Sequence, residues 1–294
     1  SCRQILRVNY MNPVLCLKLS CRKSEGRRRI TPMQSLLQGL FLGFCICLLV
    51  FSLWKLASIF MGYHSGEKEY DDLRQYVLSE PADAENTTAA NHTEEDSENE
   101  GDATASTSQR MERIDFASLE EINDEAVGWI EIPGTDISYP MVHTSDNTYY
   151  LTHTFKRQEN KSGSIFIETS NAPDFSDLHT IIYGHNMKDG SMFAGLKNYE
   201  KKTYYEAHPS IYIDLADGTH CYQIFSCHEA DITDISYTIG YAADDTYASF
   251  LDSLTASSLY DTGVSVGTDD SIITLSTCTN KGEKRFVVHA KKVY

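Results

Sequence analysis

The sequence has few basic residues beyond its first 33 positions. Lys and Arg number 25 against 42 Asp and Glu, which gives a formal net charge of −17. Residues 1–33 hold eight of the basic residues and one acid, whereas residues 34–112 and 113–294 have net charges of −10 and −14. Binding a polyanion requires a basic patch that displaces counterions. The acidic balance therefore excludes nucleic acid as an expected partner.

The sequence also lacks a C-x-x-C motif, so neither a zinc ribbon nor a thioredoxin-type site is expected. Eight Cys are present, and Cys221, Cys227 and Cys278 follow the long apolar segment described below. Cys221 and Cys227 lie six residues apart on one predicted strand, on the same face and about 20 Å apart, which is too far for a disulfide. We expect both to be buried and unreactive.

Charge is absent between Leu36 and Trp54, where nineteen consecutive residues are uncharged. A helix of this length approaches the roughly 30 Å of a bilayer core. No A-x-A-like cleavage site follows, which favours a retained anchor over a signal peptide. The basic residues precede the span, so we expect the N-terminus inside and the rest outside. The chain is predicted to be a single-pass plasma membrane protein with an extracellular domain; the alternative, a buried core helix, is disfavoured by the length.

These patterns divide the chain into four regions. We predict a basic cytoplasmic segment (1–33), a transmembrane anchor (34–61), an acidic disordered tether (62–112) and a folded domain (113–294). The tether assignment rests on residues 81–110, which hold eight acids and no Ile, Leu, Val, Met or aromatic residue. Such a stretch buries too little apolar surface to offset its chain entropy.

Short strand patterns dominate the sequence beyond residue 113. Eight runs qualify: Val127–Ile132, Ile137–Val142, Gly163–Glu168, His179–Gly184, Ile211–Leu215, His220–Cys227, Ser271–Thr277 and Lys284–Val293. Helical patterns cover Gly66–Glu80, Ile114–Ala126 and Asp245–Ser253. Many short strands with few helices indicate a mainly β protein with a small closed or half-closed barrel.

Cys278 ends the predicted strand Ser271–Thr277, and Arg285 follows seven residues later on the returning strand. In a hairpin this separation can place both side chains on one rim. A nucleophilic thiol needs partial exposure and cationic neighbours. A guanidinium supplies fixed donors for a substrate carbonyl and a tetrahedral oxyanion. The alternatives are a buried structural Cys and a solvated surface Arg.

His185 follows the predicted strand His179–Gly184 and precedes a polar loop. A His just beyond a strand end is placed to reach a neighbouring rim. Its imidazole can take a proton from a thiol and return it to a leaving amine. The chain has ten His, so the alternative is an ordinary surface or core residue.

Two separated motifs resemble the sortase family, in the details its class B members. The segment Thr274–Cys278 followed by Arg285–Val288 is similar to the family's TL-x-TC strand and the Arg on the next strand, and Tyr183–Met187 is similar to its His segment. Further similarities are Val127–Ile130, Ile132–Thr135, Asp146–Leu151 and Gly163–Phe166. The resemblance covers about residues 114–293.

The resemblance implies an eight-stranded sortase-type barrel on the outer face of a Gram-positive membrane. It implies a cysteine transpeptidase that cleaves a C-terminal sorting signal of secreted proteins through a Cys thioester. An amine then accepts the acyl group, from a lipid-linked peptidoglycan precursor or a pilin-like Lys. Cys278, His185 and Arg285 occupy the positions of the nucleophile, the acid/base and the oxyanion-side cation. No cofactor and no metal are expected.

The resemblance also implies that three further residues contact the substrate: Asn147, Ser276 and Thr277. The alternative for each is ordinary strand or loop polarity. Tyr183 and Leu196 are candidates either for the groove or for the core.

Two other functions are compatible with the same residues. A cysteine peptidase would use the same nucleophile and base but release its acyl group to water. A tethered surface-binding module that has lost activity would keep the anchor and the acidic segment, with an unreactive Cys278. A transpeptidase, unlike a peptidase, would transfer its acyl group to an added amine. An inactive binding module would show no effect of Cys278→Ala on any processing. The sorting motif depends on groove shape, which the sequence does not reveal.

Overall fold

Eight short strands close into a barrel in the computed structural model of the chain, which describes residues 32–77, 114–278 and 284–294. The strands are β1 Ala126–Glu131, β2 Ser138–Val142, β3 Ile165–Ile167, β4 His179–Tyr183, β5 Ser210–Leu215, β6 Gly218–Ala230, β7 Ile272–Cys278 and β8 Arg285–Lys292. Their order around the barrel is β1-β2-β3-β4-β7-β8-β6-β5. The predicted fold class is confirmed, and each predicted strand corresponds to an observed one.

The pairing of β4, β7 and β8 brings their ends together. β4 and β7 are parallel, with Tyr183 opposite Ser276, and β7 and β8 are antiparallel, with Cys278 opposite Arg285. Two parallel strands that are paired have their carboxyl ends at the same edge of the sheet, and a strand antiparallel to them begins at that edge. The end of β4, the end of β7 and the start of β8 therefore lie side by side on one rim.

Alternation along the strands fills the barrel interior with apolar side chains. The inward residues of the central strands are fully buried in the main core: Ile182, Ile273, Leu275, Phe286 and Val288. A second, smaller cluster lies outside the barrel, where Phe225 packs against apolar residues of the helix Asp245–Ala256. The outer face of the central strands is therefore covered as well, which allows polar side chains there to be buried.

A β-bulge in β6 corrects the prediction for Cys221 and Cys227. The register with β8 shifts between Ile224 and Ser226, which reverses the alternation. Ser226 donates a hydrogen bond to Leu254 O outside the barrel at 2.6 Å, whereas Cys227 packs in the main core. The two cysteines lie on opposite faces of β6 rather than on the same face. Both are buried, and burial raises the pKa of the Cys227 thiol to about 11.

The described residues include four α-helices: α1 Pro32–Leu73, α2 Phe116–Ile122, α3 Lys202–Ala207 and α4 Asp245–Ala256. Short 3-10 turns occupy Arg74–Tyr76, Tyr149–Leu151, Ala194–Glu200 and Ile235–Tyr237. Asp115 caps the N-terminus of α2, and its carboxylate accepts from Ser118 N at 3.1 Å. The helix is shorter than predicted. The sequence pattern does not predict α3 or the 3-10 turns, because each is too short to display a hydrophobic period.

Among the described residues, α1 is the helix long and apolar enough to cross a membrane. Its 42 residues extend about 63 Å at a rise of about 1.5 Å per residue. Its large apolar side chains between Met33 and Met61 are exposed. Length and composition therefore agree with the anchor expected from the sequence.

The last turns of α1 are ordered, which differs from the disordered tether predicted over residues 62–112. Leu73 is fully buried, and Tyr70 is buried and donates a hydrogen bond to Gly163 O. Glu69 accepts hydrogen bonds from the loop after β2, at 2.8 and 2.9 Å. This part of the chain is ordered because it does carry apolar residues that it can bury. The tether beyond Val77 lies outside the described residues.

Candidate active site

One rim of the barrel brings together the three residues predicted to carry the chemistry. Cys278 is the last residue of β7 and pairs directly with Arg285, the first residue of β8. Gly184 N donates to Ser276 O at 3.1 Å, which extends the β4–β7 pairing and sets His185 beside Cys278. Neighbouring strands lie about 4.8 Å apart, so the three backbones span about 10 Å. The side chain of Cys278 lies outside the described part of the structure.

A cavity of about 200 Å³ opens at this rim. Five of the six predicted site residues line it: Asn147, His185, Ser276, Thr277 and Arg285. The other lining residues are Leu151, Phe166, Tyr183 and Gly184. An apolar wall with a few convergent polar groups is typical of a ligand-binding cleft.

His185 is half-buried, and the main chain orients its ring. Its Nε2 lies 2.7 Å from the carbonyl oxygen of Leu151. A carbonyl only accepts, so Nε2 carries the proton and Nδ1 of the neutral ring keeps its lone pair. The turn that supplies this carbonyl is held by Asp146, whose carboxylate accepts from Thr148 N and Tyr149 N at 2.6 and 2.8 Å. The fold therefore leaves Nδ1 as the basic nitrogen.

Gly163 lies directly beneath the His185 ring. Its φ is +57°, in the left-handed region that favours glycine. A Cβ at this position would lie 3.0 Å from Cδ2 of His185 and closer still to the carbonyl oxygen of Tyr150. Any larger residue would therefore displace the ring or the turn that orients it.

Arg285 is half-buried beside the cavity. Its Nη1 donates to Lys284 O at 3.2 Å. Within the described part of the chain, no carboxylate forms an ion pair with it. A guanidinium has five N–H donors in a fixed fork, so several remain for a ligand.

Glu168 organises one wall of the cavity, although the sequence pattern marks it only as the end of a strand. Its Oε1 accepts from Asn147 Nδ2 at 2.7 Å, and its Oε2 accepts from Tyr183 Oη at 2.9 Å. Asn147 Oδ1 in turn accepts from Thr169 N at 2.9 Å. Burial, together with the negative charge of Glu168, raises the pKa of Tyr183 above its ordinary value. The signal in the sequence is an acid placed directly after a buried strand.

A turn that the sequence does not predict contacts Ser276, although it does not itself line the cavity. Tyr237, in the 3-10 turn after β6, has its Oη 2.9 Å from Ser276 Oγ. The neighbouring Thr277 is 2 % exposed, and its hydroxyl has no hydrogen-bond partner within the described structure. Two residues were candidates for either the groove or the core: Tyr183 lines the cavity, and Leu196 is fully buried in the core.

The fold and this rim match known proteins. A family model described as the sortase domain matches residues 130–293. Sortase B of Listeria monocytogenes is 33% identical over 257 residues, which cover 86% of this chain and 97% of that protein. The chain belongs to the sortase family. This sortase is also 37% identical to sortase B of Staphylococcus aureus over 186 residues, which cover 62% of the chain and 76% of the relative.

Solved structures of sortase B resemble this sortase in fold. The structure of sortase B from Bacillus anthracis in complex with AAEK1 has a TM-score of 0.65 and 33% identity, and the match covers 80% of this chain and 99% of that one. The Staphylococcus aureus sortase B–substrate complex has a TM-score of 0.58 and 36% identity, with coverages of 60% and 84%. The class B resemblance is confirmed, and the chain is a sortase-type cysteine transpeptidase.

Proposed function

We propose that this sortase is a membrane-anchored enzyme of a Gram-positive cell. It would cleave a C-terminal sorting signal of secreted proteins through a Cys thioester and transfer the acyl group to a cell-wall amine. One observation carries the proposal: His185, the backbone of Cys278 and Arg285 meet on one rim of the barrel, where five predicted site residues line a single cavity.

In the first half of the reaction Cys278 is the nucleophile. His185 Nδ1 takes the thiol proton, while Nε2–H stays on the Leu151 carbonyl. The sulfur attacks the scissile carbonyl carbon, a C–S bond forms, and Arg285 donates hydrogen bonds to the oxyanion. Breaking the C–N bond then leaves a thioester on Cys278, and His185 returns its proton to the departing amine.

In the second half an amine attacks the thioester. A C–N bond forms, His185 accepts a proton from the amine, and the C–S bond breaks. His185 then gives that proton to the released sulfur, which restores the thiol of Cys278. The acceptor is an amine of a lipid-linked peptidoglycan precursor or a pilin-like Lys. A peptidase would place water at this step instead.

The cavity walls are proposed to bind the sorting peptide. Thr277 carries a buried hydroxyl without a partner in the described structure, a costly arrangement that a ligand group or a water would relieve. Ser276 and Asn147 line the same cavity. Ser276 is hydrogen-bonded to Tyr237, and Asn147 is hydrogen-bonded to Glu168. Each hydroxyl or amide retains capacity for a further hydrogen bond.

The chain is proposed to cross the plasma membrane once, with its catalytic domain outside. The exposed apolar side chains of α1 support a membrane span, and the basic residues that precede it in the sequence support this orientation. The domain division proposed from the sequence is retained, with the tether beginning after Val77 because the helix and its last turn continue to that residue.

The test is an acyl-transfer assay on the full chain in detergent micelles. A library of sorting-type peptides is mixed with excess triglycine or a diaminopimelate-like amine, and intact-mass spectrometry follows protein and products. We expect a peptide adduct on the wild type that resolves into an amine-linked product and is absent in Cys278→Ala. Cys227→Ala is the matched control, because that thiol is buried in the core.

The remaining outcomes distinguish the alternatives. An adduct that forms but only hydrolyses, at any amine concentration, supports the peptidase. No adduct across the library, with Cys278 alkylated as slowly as the buried cysteines, supports the inactive binding module and contradicts the proposal.

A further inference from the structure

Glu168 lies behind the cavity wall, one residue beyond the end of β3. Its backbone N–H donates to Ile181 O on β4 at 2.9 Å, which continues the β3–β4 pairing. Its side chain is half-buried. Within the described residues no Lys, Arg or His forms an ion pair with it. Its carboxylate therefore does not serve a structural salt bridge there.

The two carboxylate oxygens hold two different parts of the cavity wall. One accepts from the Asn147 amide at 2.7 Å, in the loop after β2, and the other accepts from the Tyr183 hydroxyl at 2.9 Å, at the end of β4. Hydrogen bonds to an ionised acceptor are stronger than neutral ones. A carboxylate only accepts, so it fixes which way each partner's protons point.

This constraint sets the polarity of the wall. The single proton of Tyr183 is directed to Glu168, so its hydroxyl can offer a ligand only lone pairs. Asn147 uses one N–H for Glu168 and its Oδ1 for Thr169 N, which leaves the other N–H as a donor. The wall therefore presents the Tyr183 oxygen as an acceptor and an Asn147 N–H as a donor, which complement an amide N–H and an amide carbonyl of a ligand.

We propose that Glu168 is a positioning residue for the transpeptidase reaction, which orients Tyr183 and Asn147 to receive an amide N–H and an amide carbonyl of the sorting peptide. The inference rests on the proposed peptide site. Glu168 does not line the cavity itself and acts through these two side chains.

The loop that Glu168 holds also bears on the base. Asn147 lies four residues before Leu151, whose carbonyl orients His185. Replacing Glu168 therefore weakens the peptide wall first and loosens the support of the imidazole to a smaller degree.

The test compares Glu168→Gln with Glu168→Asp and with Glu206→Gln, an exposed carboxylate on α3, in the full chain in detergent. The Gln amide has one acceptor and turns N–H groups toward a partner, so we expect KM for a reactive sorting peptide to rise about 10-fold. We expect kcat to fall less than about 3-fold, Tm to stay unchanged, and Glu168→Asp to recover part of the loss. Glu206→Gln should match the wild type.

A substrate series tests the polarity directly. Backbone amides of the peptide are replaced one at a time by esters, which removes single N–H donors. We expect one ester to raise KM in the wild type and to have a smaller effect in Glu168→Gln and in Tyr183→Phe. Equal KM values for wild type and Glu168→Gln, or equal sensitivity to every ester, would overturn the inference while leaving the transpeptidase proposal intact.

The contact between Glu168 and Asn147 can also be tested without any peptide substrate. Hydrogen exchange of the Asn147 side-chain amide, followed by ¹⁵N NMR, should be slow in the wild type and at least about 10-fold faster in Glu168→Gln. Exchange at the same rate in both would contradict the proposed contact, even for a chain in which no peptide forms an adduct.

Discussion

The same three strands carry polar residues at the rim and away from the rim, and the two groups have opposite properties. At the rim, the backbones of β4, β7 and β8 lead to His185, Cys278 and Arg285 beside an open cavity. Further along the same strands, His179, Thr274 and His289 are fully buried on the outer face. A His at the start of a strand and a His just beyond its end therefore have different environments, although the sequence alone does not distinguish them.

The buried side chains form a hydrogen-bond chain. His179 Nδ1 donates to Thr238 O at 2.8 Å, its Nε2 lies 2.6 Å from Thr274 Oγ1, and that oxygen lies 2.8 Å from His289 Nδ1. Burial lowers the pKa of His179 to about 4 and that of His289 well below its ordinary value. Both rings are therefore neutral near pH 7.

The two regions differ in how many ring nitrogens of the His form hydrogen bonds within the protein. Both nitrogens of His179 are engaged, so that ring has no lone pair for a substrate. His185 uses Nε2 on a backbone carbonyl and lies half-buried at the cavity, which leaves Nδ1 available. A His becomes a base where the fold satisfies one nitrogen and leaves the other accessible.

The largest effect is expected for His185→Gln. Removing the base should lower kcat/KM by about 10²- to 10⁴-fold, the usual contribution of general acid–base catalysis. Tm should stay within about 2 °C of the wild type, because the ring is only half-buried. Initial rates at saturating amine, with thermal unfolding in parallel, measure both. A variant that keeps wild-type rates would remove the distinction between the two regions.

Arg285→Lys should lower kcat by about 10²- to 10³-fold, the usual cost of losing an oxyanion donor. The Lys retains the charge but lacks the planar fork that can reach an oxyanion with fixed donors. Lys292→Gln, at the other end of β8, is the matched control and should keep full activity. Equal rates for Arg285→Lys and the wild type would show that charge alone suffices.

His179→Ala should act on stability instead. It leaves a cavity and removes the partner of Thr274 and of the Thr238 carbonyl, which together cost about 2–4 kcal/mol in the free energy of unfolding. Urea unfolding measures the loss, while kcat per folded molecule should stay close to that of the wild type. A large loss of kcat in fully folded His179→Ala would place this residue in the reaction.

The pH dependence of stability should reveal the same buried ring. Below the ordinary pKa of 6.5 the unfolded chain binds a proton that folded His179 accepts only near pH 4. Stability therefore falls as pH drops from 6.5 to about 4, by about 3 kcal/mol from this residue. The wild type should lose that much more than His179→Gln across the window in urea titrations. Parallel curves for both proteins would contradict the lowered pKa.

Most of the fold was predictable because its signals are local. Each strand of the barrel carries an apolar or alternating run bounded by turn residues, and all eight appear at the predicted places. The β6 bulge was not predictable, because one extra residue changes the faces of Cys221 and Cys227 without changing the composition of the strand. The 3-10 turns have no period to detect.

The site divides in the same way. Cys278 and Arg285 could be predicted together because they lie seven residues apart in sequence on consecutive strands, and His185 could be predicted from the resemblance. Glu168 is not recognisable in this way, because its partners Asn147 and Tyr183 lie 21 and 15 residues away. Contacts between distant loops depend on strand order, which a single sequence does not encode locally.

The sequence by itself determined the sortase family, the eight strands and an apolar segment long enough to span a membrane, and it predicted the residues proposed to carry the chemistry, because period, charge and motif are properties of neighbours along the chain. Only the tertiary structure decided which His has a nitrogen open to the cavity, on which face of β6 each cysteine lies and which carboxylate is hydrogen-bonded to the cavity wall. Burial and hydrogen-bond partners set these properties, and both come from elements that the parallel β4–β7 pairing and barrel closure bring together.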